Sequence, residues 1–133
     1  KEIYKYSDEL IKKFDIRTPS SKNLVSNLSG GNQQKVILAR EFSKNLKFAL
    51  ICQPTRGLDV GAIEYIHKRI LELRDAGYAV LLISLELEEI FSLSDRILVM
   101  YSGEIAREFV TDRTDQMEVG FYMMGGHKTK REA

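Results

Sequence analysis

The residues best suited to chemistry stand in one short run, Ser29-Gly30-Gly31-Asn32-Gln33-Gln34-Lys35, directly after Leu28. Ser29 is a good helix cap, and Leu28 sits where a hydrophobic staple would start. Paired glycines let a large anion approach the backbone, and the free N–H groups of a first helical turn point at it. The chemistry this predicts is contact with a phosphate. A second cluster, Gln53-Pro54-Thr55-Arg56-Gly57-Leu58-Asp59, follows a short apolar run. There Asp59 fits either a functional loop or a helix cap and Asx turn before Val60. His67 reads as an ordinary surface or half-buried histidine, and His127 lies in the tail.

These residues need elements to place them. Helical spacing of Ile3, Leu10, Ile11 and Phe14 predicts a helix over 3–14 that ends before Thr18-Pro19-Ser20-Ser21. A polar loop then runs to Asn27. The helix opened by Ser29 carries Val36, Leu38, Ala39 and Phe42 and frays near Asn45. Phe48 to Cys52 and Ala79 to Ser84 are continuous apolar runs, expected as strands buried on both faces. Between them a helix from about Gly61 places Ile63, Ile66, Ile70 and Leu73 on one stripe and stops at Gly77.

Leu87, Ile90 and Phe91 mark a short helix. Arg96 to Tyr101 and Glu104 to Val110 flank Ser102-Gly103 as a hairpin at a sheet edge. A last helix covers about 115–124. Its Phe121, Tyr122, Met123 and Met124 read as core packing or as a docking stripe. Alternating strand and amphipathic helix predicts an α/β fold with a largely parallel sheet.

At 133 residues the chain is one domain's worth, able to bury ~65–70% of its unfolded surface. Apolar residues make up 44% and charged residues 29%, the balance of an ordinary globular protein. The net charge of +1 gives no nucleic-acid footprint, and Lys128-Thr129-Lys130-Arg131 reads as a solvated terminus. Cys52 is the single cysteine, which excludes an internal disulfide and a cysteine-based metal site and fits a reducing, cytosolic compartment. No apolar run approaches the ~20 residues of a membrane span. No signal peptide is visible, and a chain opening on Lys1 is expected to be a piece of a longer one.

The order of these motifs, from the glycine pair through Pro54-Thr55-Arg56-Gly57-Leu58-Asp59-Val60-Gly61-Ala62 to Ser94-Asp95-Arg96-Ile97 and Ser102-Gly103-Glu104-Ile105, resembles the second half of an ABC-type ATPase domain. The similarity runs from Asn27 to Val110. It is nearest to the ATPases of bacterial sugar and nucleoside importers, and within them to the carboxy-terminal of two fused ATPase domains. The fold implied is α/β, the carboxy-terminal part of a P-loop ATPase domain with a mostly parallel sheet, flanking helices and a C-terminal edge hairpin. Residues 1–27 would end a helical subdomain and linker, 28–110 form the core, and 111–133 a helix and tail. By this resemblance Ser29, Gly30, Gly31 and Asn32 match the signature motif, which contacts the γ-phosphate of ATP held by the opposite domain. Asp59 matches the loop that crosses between the domains.

Three positions depart from a hydrolytic member. Cys52 stands where the family places an Asp that helps hold Mg²⁺, and a thiol is a poor ligand for that hard cation. Cys52 is therefore expected as buried packing. Gln53 replaces the Glu that polarises water, and an amide cannot take a proton at neutral pH. Leu85 replaces the His that reaches the γ-phosphate. No G-x-x-x-x-G-K-[ST] occurs in the chain, so the residues that cradle a triphosphate are expected upstream.

The resemblance implies ATP and Mg²⁺ in the intact protein and none bound to this chain. It also implies pairing with the other ATPase domain, a membrane permease and, indirectly, an extracytoplasmic solute-binding protein, at the cytoplasmic face of the membrane. Self-association of the isolated chain is a further expectation. Two other classes stay open: a DNA-maintenance ATPase of the same superfamily, and a non-catalytic pairing module.

Overall fold

The computed structural model describes residues 2–44 and 47–126. They form two compact units that divide between Ile83 and Ser84. His127 and the basic tail lie outside the described residues, as does Asn45.

In the first unit, helix α1 spans Glu2–Lys13, with Glu2 in its first turn and Lys12 and Lys13 in its last. All three charges complement the helix dipole. The helix buries no residue completely. Its Leu10 and Ile11 pack with Leu28, Val36 and Phe42 around a small core of Phe14, Ile16 and Ala39. A single 3₁₀ turn, Val25–Asn27, interrupts the expected polar loop and leads into helix α2, Gly30–Phe42. Strand β1, Phe48–Cys52, is followed by helix α3, Val60–Asp75, and strand β2, Ala79–Ile83. Helix α3 buries Ala62, Ile66, Ile70 and Leu73, close to the expected stripe. It ends in a Schellman pattern, with Gly77 N–H on Arg74 O and Tyr78 N–H on Leu73 O. Gly77 sits at φ +86°, a conformation that only glycine takes without strain.

Strands β1 and β2 pair in parallel, from Phe48 opposite Ala79 to Cys52 opposite Ile83. The expectation of burial on both faces is corrected here. Ala49 and Ile51 are buried, whereas Phe48 and Leu50 are 53% and 60% exposed. On β2, Leu81 and Ile83 are likewise open. The cause is the two-residue repeat of a strand. Positions 48, 50 and 52 share one face with 79, 81 and 83, and that face is uncovered. Cys52 is consequently exposed rather than packed.

The second unit opens with helix α4, Leu87–Leu93. Strands β3, Arg96–Tyr101, and β4, Glu104–Val110, then pair antiparallel. The sheet of the fold thus resolves into one parallel pair and one antiparallel pair. Ser102 and Gly103 turn the hairpin at φ +49° and +82°. Two left-handed residues define the tight turn whose twist matches the strands. A register shift between Val99 and Met100 leaves Ala106 as the extra residue of β4, and a bulged strand bends there. After a 3₁₀ turn, Thr111–Arg113, helix α5 spans Gln116–Met123 and is capped by Asp115.

Ile97, Val99, Phe109 and Val119 form the core of this unit, with Leu87, Ile90, Phe91, Ala106 and Tyr122 against it. Tyr122 meets Phe109 edge-on at 5.5 Å between centroids. Core packing of the four residues 121–124 holds only for Tyr122. Phe121, Met123 and Met124 are exposed, because an eight-residue helix turns one stripe inward. No helix among the described residues is long and apolar enough to cross a membrane.

Candidate functional site

Ser29 caps α2 as its sequence predicts. Its backbone is extended and its Oγ accepts from Asn32 N–H. The first intrahelical bond runs from Gln33 N–H to Ser29 O at 2.9 Å, so the N–H groups of Gly30 and Gly31 precede the ladder and stand at the open helix end. The staple expected at Leu28 takes another form. Gln33 Nε2 donates to Leu28 O at 2.8 Å, and Leu28 packs against the cluster of Phe14, Ile16 and Ala39.

Asn32 is turned inward. Its Oδ1 accepts from Arg17 N–H at 2.8 Å, and its Nδ2 donates to Ser29 Oγ at 2.9 Å. Ser29 Oγ thereby accepts from both the backbone and the side chain of Asn32. A hydroxyl that accepts twice still owns one proton, which is left to donate outward. The helix end therefore presents an O–H and two backbone N–H groups, all donors. Asn32 holds the hydroxyl in place.

The two glycines have different surroundings. A Cβ at Gly30 would lie 3.6 Å from Leu58 Cδ2, an ordinary contact. A Cβ at Gly31 would lie 3.0 Å from the Cβ of Ala62, which is tight. Gly31 is required for the close approach of α2 to the first turn of α3, and Gly30 leaves the helix end open.

Asp59 caps α3, with Oδ1 accepting from Ala62 N–H at 2.9 Å. The same Ala62 faces Gly31, so the structure brings the Ser29 and Asp59 loops together through the starts of two helices. Between β1 and α3, Gln53 adopts φ +48°, uncommon for a non-glycine residue, and its N–H continues the ribbon to Ile83 O at 2.8 Å. Pro54 and Thr55 behind it are buried. Leu85 belongs to the second unit and is 73% exposed. His67 is half-buried on α3, as expected.

Sequence reasoning missed the supports of this helix end. Lys35 Nζ donates to Asp15 O at 2.8 Å and Oδ2 at 2.9 Å, and lies 4.3 Å from the centroid of the Tyr65 ring. Tyr65 Oη donates to Phe14 O at 2.7 Å, and Arg69 bonds Tyr65 Oη, Lys13 O and Glu72. The hydrogen bond and the charge of Lys35 hold the Asp15 carboxyl below its ordinary range. Partial burial pulls the Arg69 guanidinium down, but its bonds to Tyr65 and Glu72 outweigh that and leave it raised. The partners of Lys35 lie 20 and 30 positions away, beyond any local spacing signal.

For a divalent cation the residues do not fit. Among the described residues no three His, Cys, Asp or Glu side chains gather, and Cys52 with Gln53 supplies no carboxylate. For a phosphate the fit is one-sided, the donors of α2 matching an anion that must be held mainly by other groups.

No family profile matches the chain. The guanosine import ATP-binding protein NupO of Bacillus subtilis is 50% identical over 132 residues, covering 99% of this chain and 26% of that protein. The nucleoside import ATP-binding protein NupA of Lactococcus lactis is 50% identical over 94% of this chain and 25% of its own length. The xylose import ATP-binding protein XylG of Thermoanaerobacter pseudethanolicus is 42% identical over 92% and 24%. The chain thus spans about a quarter of the length of the curated relatives it matches. Among solved structures, the ATP-binding cassette MJ0796, dimeric in a post-hydrolysis state with ADP and Pi, aligns at TM-score 0.70 and 28% identity, over 80% of this chain and 46% of that one. An ATP-binding subunit of an ABC transporter shares the fold at TM-score 0.75 and 19% identity, over 90% and 53%.

Proposed function

We propose, starting from a chain that belongs to the family of ABC-type sugar and nucleoside import ATP-binding proteins, that its α2 start serves a nucleotide held by another ATPase domain. The observation that carries this reading is the donor array of Ser29 Oγ, Gly30 N–H and Gly31 N–H at an exposed helix end. Such an array supplies positive potential to the terminal phosphate of ATP and nothing to grip the rest of the molecule. In the longer protein, ATP with Mg²⁺ would be gripped by residues outside this chain. The Ser29 hydroxyl would donate to the γ-phosphate, Asn32 would fix that hydroxyl, and Asp59 would stand at the meeting of the two domains.

With Cys52, Gln53 and Leu85 at the sequence positions of the Asp, Glu and His of a hydrolytic member, this chain's own half-site would turn ATP over slowly or not at all. Gln53 can orient a water through its amide and cannot accept its proton. Closure and opening of two unequal sites would drive a permease that imports a nucleoside or sugar, with the ATP-binding protein at the cytoplasmic face of the membrane.

The test is steady-state ATP hydrolysis by the full-length protein. Gly30→Ala, which meets only an ordinary contact with Leu58, is expected to lower kcat on the order of a hundredfold by blocking close approach of the phosphate. Gln53→Ala is expected to leave it within about twofold, since ~10²–10⁴-fold is lost only where a general base is removed. The reverse pattern overturns the asymmetric reading. A second reading, a pairing module whose own ATP chemistry has decayed, draws support from the same three residues. Tight binding of Mg-ATP to this chain by calorimetry would count against it.

A further inference from the structure

The stretch that leaves α1 is fastened to α2 at two points and to α3 at two more. Arg17 N–H is bound by Asn32 Oδ1, and Asp15 by Lys35 through both its carbonyl and its carboxylate. Phe14 O receives Tyr65 Oη and Lys13 O receives Arg69. Residues 13–17 thus form a strap whose backbone carbonyls are taken up by side chains of α2 and α3. The strap turns sharply at Asp15, φ +47°, to present its carbonyl and carboxylate to the same ammonium.

Lys35 is unusual among the lysines of the described residues for its enclosure, its side chain being only 12% exposed. Its charge is shared by Asp15 and the face of the Tyr65 ring. One turn earlier on the same helix, Asn32 joins the strap to the Ser29 hydroxyl. The path from Lys35 to the donor array is therefore short: Lys35 to Asp15, two residues to Arg17, then Asn32 and Ser29.

Resting on the reading of Ser29 as the phosphate donor, we propose that Lys35 is a positioning residue for that site. Its ammonium pins the strap so that Arg17 N–H stays on Asn32, and Asn32 stays on the Ser29 hydroxyl. With the pin removed, Asn32 Oδ1 loses its fixed partner and the side-chain amide rotates. The Ser29 proton is then no longer reserved for an outside acceptor. The nucleotide would still be gripped elsewhere, so the loss falls on the closed, reactive arrangement rather than on ATP affinity.

The test uses the full-length protein and three readouts: ATP hydrolysis, thermal midpoint, and ATP-dependent slowing of hydrogen exchange at the amides of residues 30–33. Lys35→Met keeps the stem and removes the charge. It is expected to lower kcat roughly ten- to a hundredfold, to leave KM within about twofold, and to abolish the ATP-dependent slowing. Lys35→Arg, which retains a cation over the ring, is expected to restore most of both. Tyr65→Phe removes the hydroxyl that binds Phe14 O and keeps the ring under Lys35. It is expected to lower the thermal midpoint while preserving kcat and exchange protection.

Should Lys35→Met fail to fold, Asp15→Asn is the milder probe, because Asn accepts the left-handed backbone and keeps the carbonyl. It is expected to reduce the ATP-dependent slowing without a matching loss of thermal midpoint. The proposal is overturned if Lys35→Met, or Asp15→Asn in its place, keeps full exchange protection. It is equally overturned if Tyr65→Phe loses kcat in proportion to its stability as the Lys35 variant does. If instead Gly30→Ala leaves hydrolysis and protection untouched, the phosphate reading itself fails and takes this proposal with it.

Discussion

Gly30 and Gly31 carry the same side chain and different duties, one towards whatever meets the helix end and one towards Ala62. Gly31→Ala would push a methyl group to 3.0 Å from Ala62 Cβ, with both atoms fixed to backbone. The expected cost is about 1–3 kcal/mol of overpacking strain, and Gly30→Ala is expected to cost less than about 0.5 kcal/mol. Urea denaturation of the two variants separates them. Asp15 gives a pH signature. Lys35 lowers its folded pKa, so its contribution is complete above the ordinary carboxylate value and is lost as pH falls through the depressed one. Between neutral pH and strong acid, wild type should lose more urea stability than Asp15→Asn, by a small and salt-screened amount because Asp15 is exposed. Both caps were legible in the sequence, since a cap bonds three residues away. The inward turn of Asn32 and the enclosure of Lys35 were not. Their partners, Arg17, Asp15 and Tyr65, come into reach only when three separate segments are folded.

Among the elements, the hairpin was read to its end residues because a two-residue turn between alternating strands is a local signal. Helix α3 was legible for the same reason, through its stripe, its Asp59 cap and its Gly77 stop. The exposure of the β1–β2 ribbon was not, because a continuous apolar run names a strand without saying how many layers cover it. The turn also offers a gain. Ser102 sits at φ +49°, where Asn is more comfortable than Ser, and Gly103 already follows. Ser102→Asn is expected to stabilise the second unit by roughly 0.5 kcal/mol, seen as a raised thermal midpoint. Ser102→Val should do the reverse, since a β-branched residue is strained at positive φ.

For the molecule as a whole, Phe48, Leu50, Leu81 and Ile83 put a contiguous apolar surface on one side of a two-stranded ribbon. Apolar patches of this kind favour association in water. The 133-residue chain is expected to self-associate as its concentration rises, and Leu50→Lys with Leu81→Lys to suppress this. Light scattering coupled to size-exclusion chromatography reads both. A wild-type chain that stays monomeric throughout would remove the face as a contact surface. Cys52 lies on that same face, as the single thiol in the sequence and an exposed one. The 133-residue chain therefore carries its own reporter. A dye or spin label at this one position needs no engineered cysteine and no removal of competing thiols, and its quenching or protection would mark, in real time, the moment at which anything settles on the open face.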